Sequence, residues 1–182
     1  MIPIETNRLI IRRMAPTDLK DFLAFNTHPA NLEYQTVTPF TEEKAIEYLE
    51  KQAIMEPGEA GGWLGLAIEL RSEARIIGEV GIFLPPQPRS KGDIGWTLHP
   101  SYHGQGYATE AANALLIYAF KELNLHRVTA GCDARNLPSL RLMERLGMRK
   151  EAHYIQSVFS GGAWQDEYAY ALLREEWLQK QS

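Results

Sequence analysis

Residues 93–111, DIGWTLHPSYHGQGYATEA, decide how this chain folds. The opening alternates, with Asp93, Gly95 and Thr97 on one side and Ile94, Trp96 and Leu98 on the other, which is the period of a β-strand. Beyond Gly104 and Gly106 the period changes: Ala112, Leu115, Leu116, Ala119, Phe120 and Leu123 recur at the i, i+3, i+4 spacing of a buried helix face. Arg127 to Asp133, RVTAGCD, is again a strand. Strand, glycine loop, helix and strand form the unit that sets parallel strands side by side through a right-handed crossover.

Around that unit the pattern is mixed. Arg8 to Arg13 reads as a strand, and a helix follows from a Thr17 or Asp18 cap with Leu19, Phe22 and Leu23 at helical spacing. Asn26 to Pro39 reads as a loop. Thr41 opens a second helix, with Glu42 and Glu43 at its positive end and Ile46, Leu49 and Ala53 on one stripe. The segments WLGLAIEL, RIIGEVGIF and DIGWTL read as antiparallel strands separated by Ser72-Glu73 and by PPQPRSKG. Later, Asn136 caps a helix that buries Leu142, Met143 and Leu146 and ends at Gly147; strands Arg149 to Phe159 and Gln165 to Leu173 close the chain. The expected fold is α/β (α+β), one domain over residues 1–182 with about seven strands in a mixed sheet flanked by helices.

Composition sets the class. With 182 residues, 45% hydrophobic and 23% charged, the chain can bury one core. A formal charge of -4 without a Lys/Arg run argues against nucleic-acid binding. Charges interrupt the N-terminal apolar stretch, and no segment reaches the length of a membrane span, so a cytoplasmic protein is expected. The five histidines show no metal-ligand spacing, and the lone Cys132 reads as a small buried hydrophobe, so neither a metal nor a disulfide is expected.

A glycine loop leading into a helix offers unpaired N–H groups and a positive dipole end to an anion; it can equally be a turn that needs positive φ at Gly104 or Gly106. No Gly-Lys-Ser/Thr follows, which disfavours a nucleotide triphosphatase. Taken with NLPSLRLMERLGM some thirty residues later, DIGWTLHPSYHGQGYATEA resembles the GNAT superfamily of acyl-CoA-dependent N-acyltransferases. His103-Gly104-Gln105-Gly106-Tyr107-Ala108 fills that family's Q/R-x-x-G-x-G/A pattern with His in first place. The opening TNRLIIRRMAPTDL and the closing DEYAYALLREEW resemble the RimJ/RimL-like branch.

The resemblance implies acetyl-CoA as co-substrate and a primary amine as acceptor, either a protein N-terminus or a small molecule, with direct transfer in a ternary complex. It implies splayed parallel strands, Asp93 to His99 and Arg127 to Asp133, with the pantetheine arm between them. Main-chain groups near Leu98 and His99 would bond that arm. The amides of His103, Gly104, Gln105, Gly106, Tyr107 and Ala108, together with Thr109, would hold the pyrophosphate. Asn136 serves as helix cap, pantetheine contact or both, and Ser139 would serve the departing thiolate. A general base must take the amine's proton; Asp93 leads, Glu79 is second, and Glu167, His99 and Tyr154 follow. Tyr34, Phe40, Trp63, Trp96, Phe159 and Trp164 could line an acceptor cleft. A non-catalytic acyl-CoA sensor and a nucleotide-binding module are the rival readings, and a self-pairing edge strand would make a homodimer.

Overall fold

A computed structural model describes residues 2–35, 38–87 and 90–180. Thr36 and Val37 of the expected loop, and Pro88 and Arg89 of the PPQPRSKG turn, lie outside the described residues. The strands are β1 (Ile4–Glu5), β2 (Leu9–Arg13), β3 (Trp63–Leu70), β4 (Arg75–Phe83), β5 (Lys91–Leu98), β6 (Arg127–Asp133), β7 (Arg149–Ser160) and β8 (Ala163–Leu173). They form an eight-stranded sheet in the order β1-β2-β3-β4-β5-β6-β8-β7. Every neighbouring pair is antiparallel except β5 and β6. The seven expected strands are all present, and the short β1 adds an edge that sequence periodicity is too brief to reveal.

Helices α1 (Leu19–Asn26), α2 (Pro29–Leu32) and α3 (Glu42–Ile54) precede the central strands; α4 (Tyr107–Lys121), α5 (Leu137–Arg145) and α6 (Arg174–Gln179) follow them. One core joins Leu64, Leu66, Val80 and Ile82 of the sheet to Leu115, Leu116 and Phe120 of α4 and Met143 of α5. A second joins Phe22 and Phe25 of α1 and Leu49 of α3 to Ala67 and Ile76 on the opposite side. Each aromatic or aliphatic side chain so buried contributes roughly 1.5–3 kcal/mol relative to exposure.

Three helical expectations need correction. In α3 the buried stripe is Ala45, Leu49 and Gln52, whereas Ile46 is exposed. Gln52 takes the inner position because its amide bridges β3, donating to the Trp63 carbonyl at 3.0 Å and accepting from Gly65 N–H at 2.8 Å. The expected Asn26 to Pro39 loop contains the short helix α2, started by His28, whose Nδ1 accepts from Ala30 N–H at 3.2 Å. The expected side-chain cap at Thr17 or Asp18 is also absent from α1: the Asp18 carboxylate turns back, accepting from Ala15 N–H at 2.8 Å and from both terminal nitrogens of Arg12 at 2.9 Å.

Candidate functional site

The site begins where the sheet opens. Strands β5 and β6 pair only from Lys91↔Arg127 to Asp93↔Thr129 and then part, while β6 stays paired with β8 to Asp133. His99 N–H bonds the Ile77 carbonyl at 2.8 Å, and Leu98 lies opposite Gly78. Since bonded and non-bonded pairs alternate along an antiparallel ladder, the main-chain groups of Trp96 and Leu98 face the opening instead of β4. Gly131 borders it from β6 without a side chain to fill it. An extended chain carrying amides can lie in such a gap as a substitute strand.

The gap is the floor of a groove of about 740 Å³ that runs up to the glycine loop. Gly104 and Gly106 have φ of 73° and 81°, the left-handed region that glycine enters freely. Gly106 is the N-cap of α4 and lends no side chain to it, so the first N–H groups of that helix remain available to an anion. A Cβ at Gly104 would meet nothing within 4 Å, which leaves open space over the loop. From outside, Arg8 braces the turn: Nη1 donates to the Gln105 carbonyl at 2.9 Å, Nε donates to Glu110 at 2.7 Å, and the guanidinium lies 4.3 Å from the centre of the Tyr107 ring. Leu98's carbonyl accepts from Asn31 Nδ2 at 2.9 Å and is 2.9 Å from His103 Nε2, so it anchors both the loop and α2.

Helix α5 forms the facing wall. Asn136 Oδ1 accepts from Ser139 N–H at 3.2 Å, the bond of a helix cap. Trp96 reaches across from β5, and its Nε1 donates to Ser139 Oγ at 3.4 Å. Cys132 half-faces the groove, its thiol pushed up to about 12 by burial and then by Asp133 and Glu167.

A second cavity of about 440 Å³ is lined by Phe40, Tyr48, Trp63, Glu79, Asp133 and Glu167, among others. Gly95, Trp96, Thr97, Gly131 and Cys132 line both cavities, so the two meet at the gap between β5 and β6. Glycines make the room for this second chamber. A Cβ at Gly81 would lie 2.5 Å from the Trp63 ring, and one at Gly65 would lie 2.4 Å from both Glu79 Oε1 and Tyr48 Oη. Glu79 is buried, and Oε1 accepts from Tyr48 Oη at 2.5 Å and Trp63 Nε1 at 2.9 Å. Burial raises its pKa above the ordinary carboxylate range, and the two donors oppose that rise. Asp133 is held low by Arg135, while Glu167 accepts from Ser157 Oγ at 2.9 Å.

Of the residues singled out in the sequence, Leu98, His103, Gly104, Gly106, Tyr107, Ala108, Thr109, Asn136 and Ser139 share the first groove. His99 does not line it: its N–H is bonded to Ile77 and its carbonyl accepts from Tyr102 N–H at 2.9 Å. The Gln105 side chain also turns away, donating to the Ser101 carbonyl at 3.0 Å. Asp93 lines neither cavity; it sits where β5 and β6 still pair, accepting from Thr129 Oγ1 at 2.6 Å. Glu79 and Glu167 line the second chamber, as do Tyr34, Phe40, Trp63 and Trp96. Tyr154, Phe159 and Trp164 are exposed on β7 and β8. Sequence reading missed Tyr48, Asn31 and Arg145; of these, only Arg145 carried a signal, lying six residues beyond Ser139 on the same helix.

A mixed sheet that opens between its two parallel strands beside a glycine-bearing helix start defines a class of fold that binds an extended, phosphate-bearing ligand. A family model described as "Acetyltransferase (GNAT) domain" matches residues 8–149. An uncharacterized N-acetyltransferase of Bacillus subtilis (strain 168), YnaD, is 36% identical over 96% of this chain and 98% of its own length. The crystal structure of a GNAT-family acetyltransferase from Bacillus anthracis is similar with a TM-score of 0.83 and 34% identity, over 95% of this chain and 99% of that one. The ribosomal-protein-S5-alanine acetyltransferase of Vibrio fischeri shares the fold at a TM-score of 0.84 and 22% identity, over 97% of this chain and 99% of that one. The chain belongs to the GNAT acetyltransferase family, in its RimJ/RimL-type branch, and is an acetyl-CoA-dependent N-acetyltransferase. The groove suits that co-substrate, with unpaired strand edges for amides and an uncapped helix start for phosphate. Among the described residues, no group of three or more His, Cys, Asp or Glu could hold a metal ion, and no helix is long and apolar enough to cross a membrane.

Proposed function

We propose that this chain is one catalytic domain that transfers the acetyl group of acetyl-CoA directly to a primary amine, with donor and acceptor entering from opposite sides of the sheet. The observation that carries this reading is the meeting of the two cavities at Gly95, Trp96, Thr97, Gly131 and Cys132. The donor occupies the glycine-loop groove, where amides of α4 hold the pyrophosphate and the gap-facing groups of Trp96 and Leu98 bond the pantetheine arm. The acceptor enters the chamber walled by Glu79, Glu167 and the aromatic side chains.

The incoming ammonium has no lone pair, so it first gives up a proton. Glu79 is the base: Tyr48 Oη and Trp63 Nε1 both donate to Oε1 and neither to Oε2, and the raised pKa makes the carboxylate a stronger base toward the proton it takes. The freed nitrogen forms the new C–N bond, the C–S bond breaks, and Ser139 donates to the departing thiolate. A main-chain N–H of Trp96 or Leu98 polarises the thioester carbonyl. Cys132, protonated at neutral pH by its raised pKa, is a poor nucleophile, which favours direct transfer over an acyl-enzyme.

A thiol-release assay with acetyl-CoA, run against primary amines and alanyl peptides, tests the assignment. The peptides are included because the Vibrio fischeri protein of the same fold is named for an alanine of ribosomal protein S5. Glu79→Gln is expected to lower kcat by about a hundredfold or more, and Ser139→Ala by about tenfold or more, with thermal stability retained. Asp93→Asn is expected to remain near wild type. A fully active Glu79→Gln enzyme would remove Glu79 from the mechanism, and CoA binding without turnover on any amine would favour a sensor.

A further inference from the structure

The donor groove raises a question of charge. Coenzyme A carries a pyrophosphate and a ribose phosphate, whereas a helix start supplies only roughly half a positive charge. The Nε2 of His103 is turned to the Leu98 carbonyl, 2.9 Å away, and is not free to meet a phosphate. Among the described residues that line either cavity, Arg145 is the one permanent cation.

Arg145 is placed for this task by the helix it ends. Ser139, Leu142 and Arg145 recur every third residue on α5, and all three line the groove. At about 1.5 Å of rise per residue, Arg145 stands about 9 Å farther along the groove wall than Ser139. There it meets the first turn of α4, its Nε donating to Thr109 Oγ1 at 3.4 Å. That is a long bond to a neutral hydroxyl. Other arginines are claimed by carboxylates: Arg8 by Glu110, Arg12 by Asp18 and Glu69, Arg127 by Glu151. Arg145 has no carboxylate partner among the described residues.

We propose that Arg145 is the phosphate-reading residue of the donor groove, exchanging its bond to Thr109 for a charge-assisted pair with a phosphate of coenzyme A. This rests on the groove being the coenzyme site, and not on the identity of the base or of the acceptor. A guanidinium matches phosphate oxygens through parallel N–H donors, and that pair is stronger than one to a neutral acceptor. The α5 wall then reads the coenzyme at two points, Ser139 at the sulfur end and Arg145 at the phosphate end. Donors without the phosphates would lose the second contact.

The test is direct binding, independent of turnover. Coenzyme A and 3′-dephospho-CoA are titrated calorimetrically, and pantetheine by ligand-observed NMR, into wild type, Arg145→Ala, Arg145→Lys and Arg141→Ala. Arg141 lies one turn earlier on α5 and lines neither cavity, so it controls for loss of a nearby charge. Arg145→Ala is expected to weaken coenzyme A binding by about tenfold or more, and Arg145→Lys by less. Arg141→Ala is expected to leave it within about twofold, and the Arg145 effect should shrink as salt is raised. Pantetheine binding should not change in any variant. If 3′-dephospho-CoA is indifferent to Arg145→Ala, the partner is the ribose phosphate; if it weakens equally, the partner is the pyrophosphate. Wild-type affinity for coenzyme A in Arg145→Ala, or an equal loss with pantetheine or with Arg141→Ala, would overturn the proposal. Coenzyme binding that depends on Arg145, alongside no transfer to any amine, would leave this assignment standing while the transfer chemistry failed.

Discussion

Glu79 is a buried carboxylate pulled in two directions. Desolvation raises its pKa, and hydrogen bonds from Trp63 and Tyr48 lower it. As a base it must be ionised, so the rate should fall as pH drops through the pKa in the working enzyme. Tyr48→Phe removes one of the lowering contacts, so the pKa rises and the acid limb of kcat moves to higher pH. The same shift sets the sign for stability. A carboxyl whose folded-state pKa lies above the unfolded value favours folding fully below the unfolded value, and that contribution is lost as pH rises through the folded one. Tyr48→Phe should therefore lose more stability at neutral pH than in acid. A pH–rate profile and urea melts at two pH values check both signs; an unmoved acid limb would mean that Glu79 is not the titrating base. The sequence showed an acid on a strand between Gly78 and Gly81, but Asp93 ranked higher because it begins the strand that leads to the glycine loop and shares one face with Gly95 and Thr97. Only the packing of α3, which brings Tyr48 onto Glu79, separates a buried carboxylate on the second cavity from one at a strand junction.

At the scale of elements, helix α4 and its glycine loop were the most legible part. Ala112, Leu115, Leu116, Ala119 and Phe120 are all buried as the helical spacing required, while Leu123 of the expected stripe lies past the helix end at Lys121 and is partly buried. Whether the loop is an anion cradle or only a turn was left open by its composition, and substitution separates the two. Gly106→Ala places a side chain at φ 81° and should cost about 1 kcal/mol of folding stability. The amides should also be re-aimed, weakening coenzyme A binding by about tenfold. Denaturant melts and calorimetry give the two numbers separately. Lost stability with unchanged affinity would make the loop a turn and nothing more. Helix α6 escaped the sequence reading because it is six residues long and carries one buried anchor, Trp177, whose ring packs 5.4 Å from that of Phe120. A single anchor leaves no periodicity to read.

On the scale of the whole molecule, the sheet behaves as two antiparallel parts joined by a short parallel seam, β1 to β5 on one side and β6, β8 and β7 on the other. The strand-helix-strand unit told in advance that β5 and β6 would be parallel neighbours. How far they stay paired depends on β6 following β8, a contact between residues as distant as Arg127 and Leu173 that no local pattern encodes. The seam leaves the N–H groups of Trp96 and Leu98 facing the gap, while those of Gly95 and Thr97 point toward β4. Amide hydrogen exchange should register the difference, with Trp96 and Leu98 exchanging faster than Gly95 and Thr97 in the free protein. Coenzyme A laid in the gap should slow Trp96 and Leu98 and tie the two parts together. At a ligand concentration of about a hundred times Kd, the whole fold should gain about 2.7 kcal/mol against unfolding. Protection confined to Gly104–Thr109, with Trp96 and Leu98 unchanged, would mean that the phosphates dock while the pantetheine arm lies elsewhere. In that case the gap would be only the place where β6 leaves β5 to follow β8, and the meeting of the two cavities would no longer support transfer across the sheet.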